Sequence, residues 1–372
     1  MRNGKKVNIN YIIYTRVLRD RLTMSRKSNF ELLRILSIVG IITMHYMSSD
    51  LGGVIKNAAF PNFSWFYNHL ILALAIPLVN CFILITGYFS LRVIKIRVDK
   101  ILVLACTTAF YGLIAYSLAC SVGICEFSIN SFLLELLPYF EGKRWFVETY
   151  IILLLLMPFL NIVLNGLRQR EYRILLLIQL GLFVCWYSVG ASAPILDDGY
   201  GIINFITLYM IGGYINKFDS SKYVLYLKKY GLLIYIVCSL ATFLLSYFIN
   251  PYGYAFITNI IGATALFCFF SKLDFGNNQK INTLASAAFD VYLLHSDQYT
   301  SYLLISEWFR GQVVADTPLM ILHMPIVVVA LYSFGILTWF VRKKIFKWTL
   351  DRIPLFKKTI VIEQKGCDNT IQ

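Results

Sequence analysis

Charged side chains are scarce in this sequence. Lys, Arg, Asp and Glu together make up 15% of its 372 residues, and the mean hydropathy is +0.66. A soluble domain of this length carries about 25% charged residues, because they cover the surface that faces water. The deficit, together with 58% hydrophobic residues, excludes an ordinary soluble domain and indicates that much of the surface faces lipid.

Metal-binding cysteine patterns and a continuous basic surface are also lacking. The eight cysteines show no zinc spacing, and most lie inside apolar segments, where cysteine behaves as a small hydrophobic residue. We expect Cys120 and Cys125, at the end of one apolar segment, to be free thiols rather than a disulfide. The formal charge of +14 is spread over short clusters between apolar runs. We therefore expect no metal site and no nucleic-acid partner.

Runs of apolar residues define the membrane domain, because a spanning helix needs about 20 of them and must satisfy its own backbone hydrogen bonds. We predict an all-α, polytopic membrane protein with about ten transmembrane helices. The sixth span is short, and the polar residues 296–298 interrupt the ninth. Segment 128–140 is apolar but too short to span, so we interpret it as re-entrant or interfacial. The predicted spans are 31–48, 69–90, 99–120, 145–164, 173–190, 201–216, 230–249, 254–271, 284–306 and 318–341.

The distribution of basic residues tests this count. With the N-terminus inside, 29 of the 34 Lys and Arg residues lie in cytoplasmic segments and four lie outside, while Arg34 falls within the first span. Basic residues collect on the cytoplasmic side of membrane proteins, and a missed helix would invert every later loop. We therefore predict a multi-pass protein of the cell membrane with both termini in the cytoplasm.

The charge pattern also divides the chain into three parts. Residues 1–24 form a basic N-terminal tail without an apolar core, so we expect no cleavable signal peptide, and Met24 is an alternative start. Residues 25–341 form the membrane domain. Residues 342–372 form a basic cytoplasmic tail, in which interleaved apolar and basic residues predict a helix on the inner leaflet.

Polar residues form a stripe along the first span. Arg34 and His45 are eleven residues apart, which places them on one helix face about 16 Å apart along the axis, and Glu31 lies on that face one turn below Arg34. In one interpretation Arg34 reaches the inner headgroups and pairs with Glu31, while His45 bonds a neighbouring backbone. In the other, Arg34 holds a phosphate and His45 acts as a general base.

Other ionisable residues near the spans have two interpretations each. Glu148 either orients an imidazole or pairs with Arg144 four residues before it. His295 falls near mid-membrane, as a packing or pathway residue rather than the base. Arg92 and Arg97 flank the inner end of the second span as ordinary positive-inside charge. We expect His69 and His323, close to the outer interfaces, to be exposed.

Several segments carry a resemblance to a known family. The first span has Arg34, ten residues and then His45, which is similar to the Arg-x10-His motif of acyltransferase family 3, integral membrane proteins that O-acylate extracytoplasmic glycans. The segment CFILITGY resembles that family's Phe-Phe-x-x-Ser-Gly-Tyr motif, but has Cys for the first Phe, a longer spacing and Thr for Ser. Further similar segments are 145–150 (WFVETY), 158–161 (PFLN), 209–215 (YMIGGYI) and 292–295 (YLLH).

The resemblance, which covers residues 25 to about 341, implies transfer of an acyl group, usually acetyl, from acetyl-CoA to a sugar hydroxyl. The position that matches the family's essential histidine is His45, and Arg34 matches the arginine that contacts the CoA phosphates or orients the donor. The expected partners are acyl-CoA, a glycan or lipid-linked sugar acceptor, and membrane lipids. The remaining candidate residues are Arg92 and Arg97 for CoA, and Glu148, Trp145, Tyr292 and His295 for binding or orienting the substrate.

A transporter or flippase for lipid-linked sugars, or a glycan polymerase, is the competing hypothesis. Asp290, Asp297 and the interrupted ninth span suit such a protein, because broken helices line substrate paths in transporters. No inverted repeat is evident in the sequence, and the stripe of Arg34 and His45 has no particular use in transport. The sequence leaves the acceptor sugar, the acyl chain and the oligomeric state open.

Overall fold

Helices make up most of the structure. The computed structural model describes residues 26–48, 51–137, 144–190 and 198–361. In chain order the helices are α1 (Ser28–Met47), α2 (Val54–Asn57), α3 (Phe63–Ser90), α4 (Val98–Ser121), α5 (Ile129–Leu136), α6 (Trp145–Gly166), α7 (Gln169–Gln179), α8 (Trp186–Ser188), α9 (Ile202–Lys217), α10 (Lys222–Leu245), α11 (Ile257–Lys272), α12 (Gln279–Ser286), α13 (Ala288–Ser296), α14 (Gln298–Ser301), α15 (Gly311–Val314) and α16 (Met320–Trp348).

Short elements of other kinds complete the fold. Two π-helical segments follow α7 and α14, two 3-10 turns follow α16, and two short strands pair with each other. These elements are the π-helices Leu180–Cys185 and Tyr302–Phe309, the 3-10 turns Leu350–Arg352 and Pro354–Lys357, and the strands β1 (Lys95–Ile96) and β2 (Ile360–Val361).

Six helices of the described part of the chain, α1, α3, α4, α6, α10 and α16, are long and apolar enough to cross a membrane. This confirms the predicted class of an all-α, multi-pass membrane protein. The other four predicted spans are also helical but shorter or interrupted: α9 and α11 have 16 residues each, and α7, its π-helix and α8 run from 169 to 188. The count of ten spans and the orientation of the termini stay predictions.

Asp297 interrupts the predicted ninth span. α13 ends at Ser296, Asp297 has an extended backbone, and its carboxylate accepts a hydrogen bond from the Tyr299 N–H at 3.1 Å, which caps α14. Arg144 pairs with this carboxylate at 2.6 Å and with Glu135 at 2.5 Å. A buried carboxylate needs such partners, because an unpaired charge in a low-dielectric interior is costly. The break therefore ties α14 to α5 and to the start of α6.

α1 and α3 form the centre of the bundle. In each of them, 67% of the most apolar 18-residue stretch is buried, whereas the corresponding value for α10 is 22%. α10 therefore lies at the periphery. α3 also packs closely on α9: a Cβ at Gly87 would lie 2.2 Å from the Tyr209 carbonyl oxygen, and one at Gly212 would lie 2.3 Å from that of Leu84. Glycine at both positions lets the two backbones touch, as small residues do between membrane helices.

The C-terminal segment contacts the helix bundle, while the boundary between the membrane domain and a basic tail stays a prediction. α16 passes without a break through residue 342, and Arg342 forms an ion pair with Asp290 on α13. After the two 3-10 turns, β2 pairs antiparallel with β1 in the loop between α3 and α4. These backbone hydrogen bonds hold the segment against the bundle. The predicted tail 1–24 and residues 362–372 lie outside the described residues.

The apolar segment after α4 forms α5, which has eight residues and is too short to span. It packs against α4, and residues 138–140 of the predicted segment lie outside the described ranges. Cys120, in the last turn of α4, and Cys125, in the connection to α5, are free thiols with their Sγ atoms 3.3 Å apart. The expectation of two thiols rather than a disulfide therefore agrees with the structure.

Candidate active site

The helix ends meet at two faces of the bundle. α1 begins where α3 ends, since the rings of Phe30 and Phe89 lie 4.9 Å apart. We call this face the basic end, because Lys27 and Arg97 lie there, and we call the opposite face, where α1 finishes at Met47, the distal end. α1 therefore connects the two ends through the middle of the protein.

A cavity of about 480 Å³ opens at the basic end, between α1, α3, α4 and α6. Its walls carry more basic than acidic groups, and apolar side chains of α3 and α6 lie beside them. An excess of positive charge in a partly enclosed cavity attracts an anionic ligand. We name it the basic cavity; its charged lining residues are Arg26, Lys27, Arg34, Arg97, Lys100 and Glu31.

Two arginines of the basic cavity are held by neighbouring carboxylates. Arg34 pairs with Glu31 at 2.6 Å, while 30% of its side chain stays exposed. Arg97 forms two hydrogen bonds to Asp99, at 2.9 and 2.6 Å. A guanidinium has five N–H donors in a rigid plane, so each of these side chains keeps donors for a second anionic group. The carboxylates therefore orient the arginines without using up their capacity.

A second cavity of about 400 Å³ adjoins the first, and we name it the deep cavity. Both are lined by Arg26, Arg34, Leu104 and two hydroxyl residues, Thr86 and Tyr150, whose oxygens lie 3.1 Å apart. Beyond these side chains the deep cavity becomes apolar and aromatic. Its other lining residues include Ile38, Ile41, Phe82, Phe146, Val147, Phe289 and Tyr292.

His45 and His295 lie one helical turn beyond the deep cavity. His45 follows Ile41 by four residues on α1, and His295 follows Tyr292 by three on α13, so each stands next to a lining residue along its helix. The two imidazole rings are 5.1 Å apart, measured between centroids. His295 is fully buried, whereas His45 keeps part of its surface exposed. The fold thus brings together two histidines that are far apart in the sequence.

Aromatic side chains surround this region. Trp145 contacts the rings of Tyr200 and Tyr254, at 4.5 and 5.5 Å between centroids, and Phe146 lies 5.5 Å from Tyr292. Aromatic clusters of this kind provide a rigid apolar wall. The structure therefore places Trp145 beside the deep cavity and Tyr292 on its wall.

Comparison with known families decides the class of the protein. The family model of the acyltransferase domain, family 3, matches residues 27–342. The chain belongs to acyltransferase family 3. The match covers the two histidines and every residue that lines the two cavities except Arg26, so the cavities lie in the acyltransferase domain of a multi-pass membrane protein. No curated protein matches the chain, and no solved structure matches it either.

Other predicted site residues of this acyltransferase lie apart from the cavities. Arg92 is exposed and does not line either cavity, so its role in CoA binding stays a prediction. Glu148 has a buried Oε1 atom without a hydrogen-bond partner in the described ranges, and Arg144 pairs with Glu135 and Asp297 instead. The interpretation of Glu148 as the partner of Arg144 is therefore wrong.

Two histidines of the acyltransferase belong to the packing of the distal end. His69 is only 8% exposed and stacks on Trp65 at 3.8 Å, with Nδ1 2.9 Å from the Trp65 carbonyl oxygen. The expected exposure of His69 is therefore wrong, because Trp65 covers its ring one helical turn away. His323 is partly exposed, and its Nδ1 lies 2.5 Å from the Tyr46 hydroxyl.

Sequence reasoning missed several residues that line the two cavities. The sequence predicts Arg26 and Lys100 only as positive-inside charge, whereas both line the basic cavity. Thr86 and Tyr150 lie within the segments similar to the family motifs, and the structure gives them a hydrogen bond at the junction of the two cavities. The family segments were the signal for these two, while the role of the two basic residues depends on helix packing.

Proposed function

We propose that this acyltransferase moves an acyl group, acetyl in the simplest case, from acyl-CoA to a hydroxyl of an extracytoplasmic or lipid-linked glycan. The observation that carries the proposal is the pair of adjoining cavities, which begins at five basic side chains and ends at Ile41 and Tyr292, one helical turn before His45 and His295. The family supplies the acyl-transfer class, and the cavities suggest the donor.

The two cavities differ as the two halves of CoA differ. CoA has a phosphorylated nucleotide at one end and a thin pantetheine arm that ends in the thioester at the other. Phosphate groups suit the guanidinium groups of Arg34 and Arg97, which bind oxyanions with paired N–H donors. The apolar and aromatic deep cavity suits the arm. Arg34 and His45 are about 16 Å apart along α1, so an arm that follows the deep cavity carries the thioester toward His45.

Acyl transfer at this site needs a base for the acceptor hydroxyl. His45 removes the hydroxyl proton while the oxygen attacks the thioester carbonyl carbon, which forms the new ester bond. The carbon–sulfur bond breaks, and His45 returns the proton to the CoA thiolate. The products are an O-acyl glycan and free CoA, and the histidine returns to its starting state.

The proposed orientation separates the two substrates. If the basic end faces the cytoplasm, as the excess of basic residues there predicts, acyl-CoA enters from the compartment in which it is made. The acceptor then approaches from the distal end, on the outer side. The donor arm thereby crosses part of a hydrocarbon layer about 30 Å thick.

Replacement of His45 tests the reaction. Purified protein in lipid nanodiscs is given acetyl-CoA and glycan from the producing cells, and free thiol and ester-linked acetyl are measured. We expect His45→Ala to lose transfer by roughly 100-fold or more, since general base catalysis contributes at least that much. His69→Ala, outside both cavities, is the matched control and should keep wild-type activity. Full transfer by the His45→Ala protein would contradict the proposal.

A transporter of lipid-linked sugars has less support from the structure. Asp290 and Asp297, the acids that suggested it, form ion pairs with Arg342 and Arg144. Paired in this way, the carboxylates have a structural explanation. The same protein in detergent separates the two classes, because transport needs a sealed membrane and acyl transfer does not. Absence of acetyl-CoA turnover in detergent, together with movement of a lipid-linked sugar across sealed vesicles, would favour the transporter.

A further inference from the structure

The two central histidines each have a ring nitrogen without a hydrogen-bond partner in the described part of the chain. These atoms are Nδ1 of His45 and Nε2 of His295, and both are buried. A buried polar atom left unpaired is costly, and such atoms in native structures call for an explanation. Since the two rings are neighbours, the two atoms are candidates to satisfy each other.

The tautomer of His295 follows from its other nitrogen. Nδ1 lies 2.5 Å from the carbonyl oxygen of Val291, and a carbonyl only accepts. Nδ1 therefore carries the proton and donates it, so in a neutral ring Nε2 carries the lone pair. The assignment rests on the hydrogen-bond network, as is usual for histidine.

The position of His295 is fixed by the fold around it. α13 ends one residue later at Ser296, and Asp297 is held by Arg144 and by the N–H of Tyr299. The side-chain hydroxyl of Thr300 turns back to donate to the Leu294 carbonyl. These contacts surround the end of the helix on which His295 lies. Its lone pair consequently has a defined place in the protein.

His45 offers the complementary group. In the tautomer with Nδ1 protonated, its buried Nδ1 is a donor without an acceptor. The ring centroids are 5.1 Å apart and the rings are inclined by 49°, and the last side-chain torsion of histidine is soft. Because His295 is held by the Val291 carbonyl, rotation of the His45 ring is the movement that directs its Nδ1 toward Nε2 of His295.

We propose that His295 is a positioning residue for His45. Nε2 of His295 accepts a hydrogen bond from the Nδ1–H of His45, which leaves Nε2 of His45 as the base toward the acceptor hydroxyl. This inference rests on the proposed acyl transfer and adds a second histidine to it. It replaces the interpretation of His295 as a packing or pathway residue.

The arrangement has a consequence for the proton. When Nε2 of His45 takes the hydroxyl proton, the ring becomes a cation with two N–H groups. His295 accepts the N–H on Nδ1 and so stabilises this cation, and the other proton passes to the CoA thiolate as the carbon–sulfur bond breaks. His295 keeps its own proton throughout, because that proton is bonded to the Val291 carbonyl. This is the orienting role that a carboxylate has in other histidine sites.

Two amide substitutions separate this role from a structural one. In His295→Gln the amide reaches the place of Nε2 and keeps an acceptor for His45, but the donor to the Val291 carbonyl is lost. In His295→Asn the shorter amide keeps that donor and loses the acceptor. A purely structural His295 is thus rescued by Asn, and a positioning His295 is rescued by Gln.

Steady-state kinetics of the two variants in nanodiscs give the first readout. We expect kcat to fall about 10- to 100-fold in His295→Asn, in the range of lost orienting partners, with the KM for acetyl-CoA unchanged. His295→Gln should retain most of the wild-type kcat. The opposite order, or equal activity in both variants, would overturn the inference.

Chemical labelling of the histidines tests the inference without a measurement of acyl transfer. Diethyl pyrocarbonate acylates an imidazole nitrogen that carries a lone pair, and the chain has four histidines, so mass spectrometry follows each one. His45 should react severalfold more slowly in His295→Asn than in wild type and at the wild-type rate in His295→Gln, with His69 and His323 as internal references. Equal rates at His45 in all three proteins would refute the hydrogen bond.

The two readouts also separate this inference from the function proposed above. If the wild-type protein labels as expected but transfers no acetyl from acetyl-CoA, the proposed reaction fails while the histidine pair stands. If it transfers acetyl and the Asn and Gln variants show no difference in kcat or labelling, the reaction stands and the role of His295 fails.

Discussion

At the scale of single residues, the position of Arg34 is compatible with both interpretations that the sequence allows. It pairs with Glu31, as expected for an arginine near the membrane edge, and it also lines both cavities. The pair fixes the guanidinium without closing the cavity, since part of the side chain stays exposed. A structural ion pair and a ligand contact are therefore compatible in one side chain.

Arg34→Gln should weaken donor binding. Loss of a charge-assisted hydrogen bond to phosphate costs about 1.5–3 kcal/mol, so we expect the KM for acetyl-CoA to rise roughly tenfold or more. The KM for the acceptor should change little. Initial rates at varied donor concentration measure this effect.

Arg168→Gln is the control for Arg34. Arg168 is an exposed arginine that also pairs with a glutamate three residues away, Glu171, but it lies outside both cavities. Its replacement should leave both KM values as in wild type. A donor KM that stays constant in Arg34→Gln would remove Arg34 from the CoA site.

The alignment of Arg34 with His45 was predictable, because eleven residues bring a helix back to nearly the same face. The pair with Glu31 was predictable for the same reason. In contrast, the approach of His295 to His45 depends on how α13 packs on α1. Arg97 lines the basic cavity whereas Arg92 does not. This difference depends on the course of the loop between α3 and α4, which a count of basic residues does not reveal.

At the scale of elements, polar residues within an apolar run predicted the break in the ninth span. The contact between α3 and α9 could not be predicted from such local signals. Asp297 in an apolar run is a local signal, and the structure shows it as a helix cap. Gly87 and Gly212 lie in similar family segments, but their mutual approach becomes visible only in three dimensions. Long-range pairing of helices needs information that periodicity lacks.

Gly212→Ala should destabilise the contact between α3 and α9. The added methyl group would lie 2.3 Å from the Leu84 carbonyl oxygen, and overpacking of this kind costs about 1–3 kcal/mol. We expect a lower melting temperature in detergent, measured by intrinsic fluorescence. Gly181→Ala is the control, because nothing lies within 4 Å of its Cβ position. Equal melting temperatures for both variants would contradict the close packing.

At the scale of the whole molecule, basic residues predict the orientation, and the described helices follow the order of the predicted spans. Each of the ten predicted spans has a helical counterpart, but six are long and apolar enough to cross by themselves. The shorter ones lie partly inside the bundle, where neighbouring helices replace lipid. Length and hydropathy therefore identify six spans in the described part of the chain, and the count of ten stays a prediction.

Single cysteines in a variant without the native ones test the orientation. Asp219→Cys and Asn277→Cys, in loops at the basic end, should react with a membrane-impermeant maleimide only after cells are opened. Val189→Cys and Phe248→Cys, at distal positions with exposed side chains, should react in intact cells. Labelling of all four from outside would refute the predicted sidedness.

The pairing of β1 with β2 sets an order of events during synthesis. Lys95–Ile96 leaves the ribosome after the second long helix, whereas its partner Ile360–Val361 follows the last one. The loop that carries Arg97 therefore gains its backbone hydrogen-bond partner only after almost the whole chain has been synthesised. The loop beside the basic cavity is therefore completed by one of the last described segments of the chain.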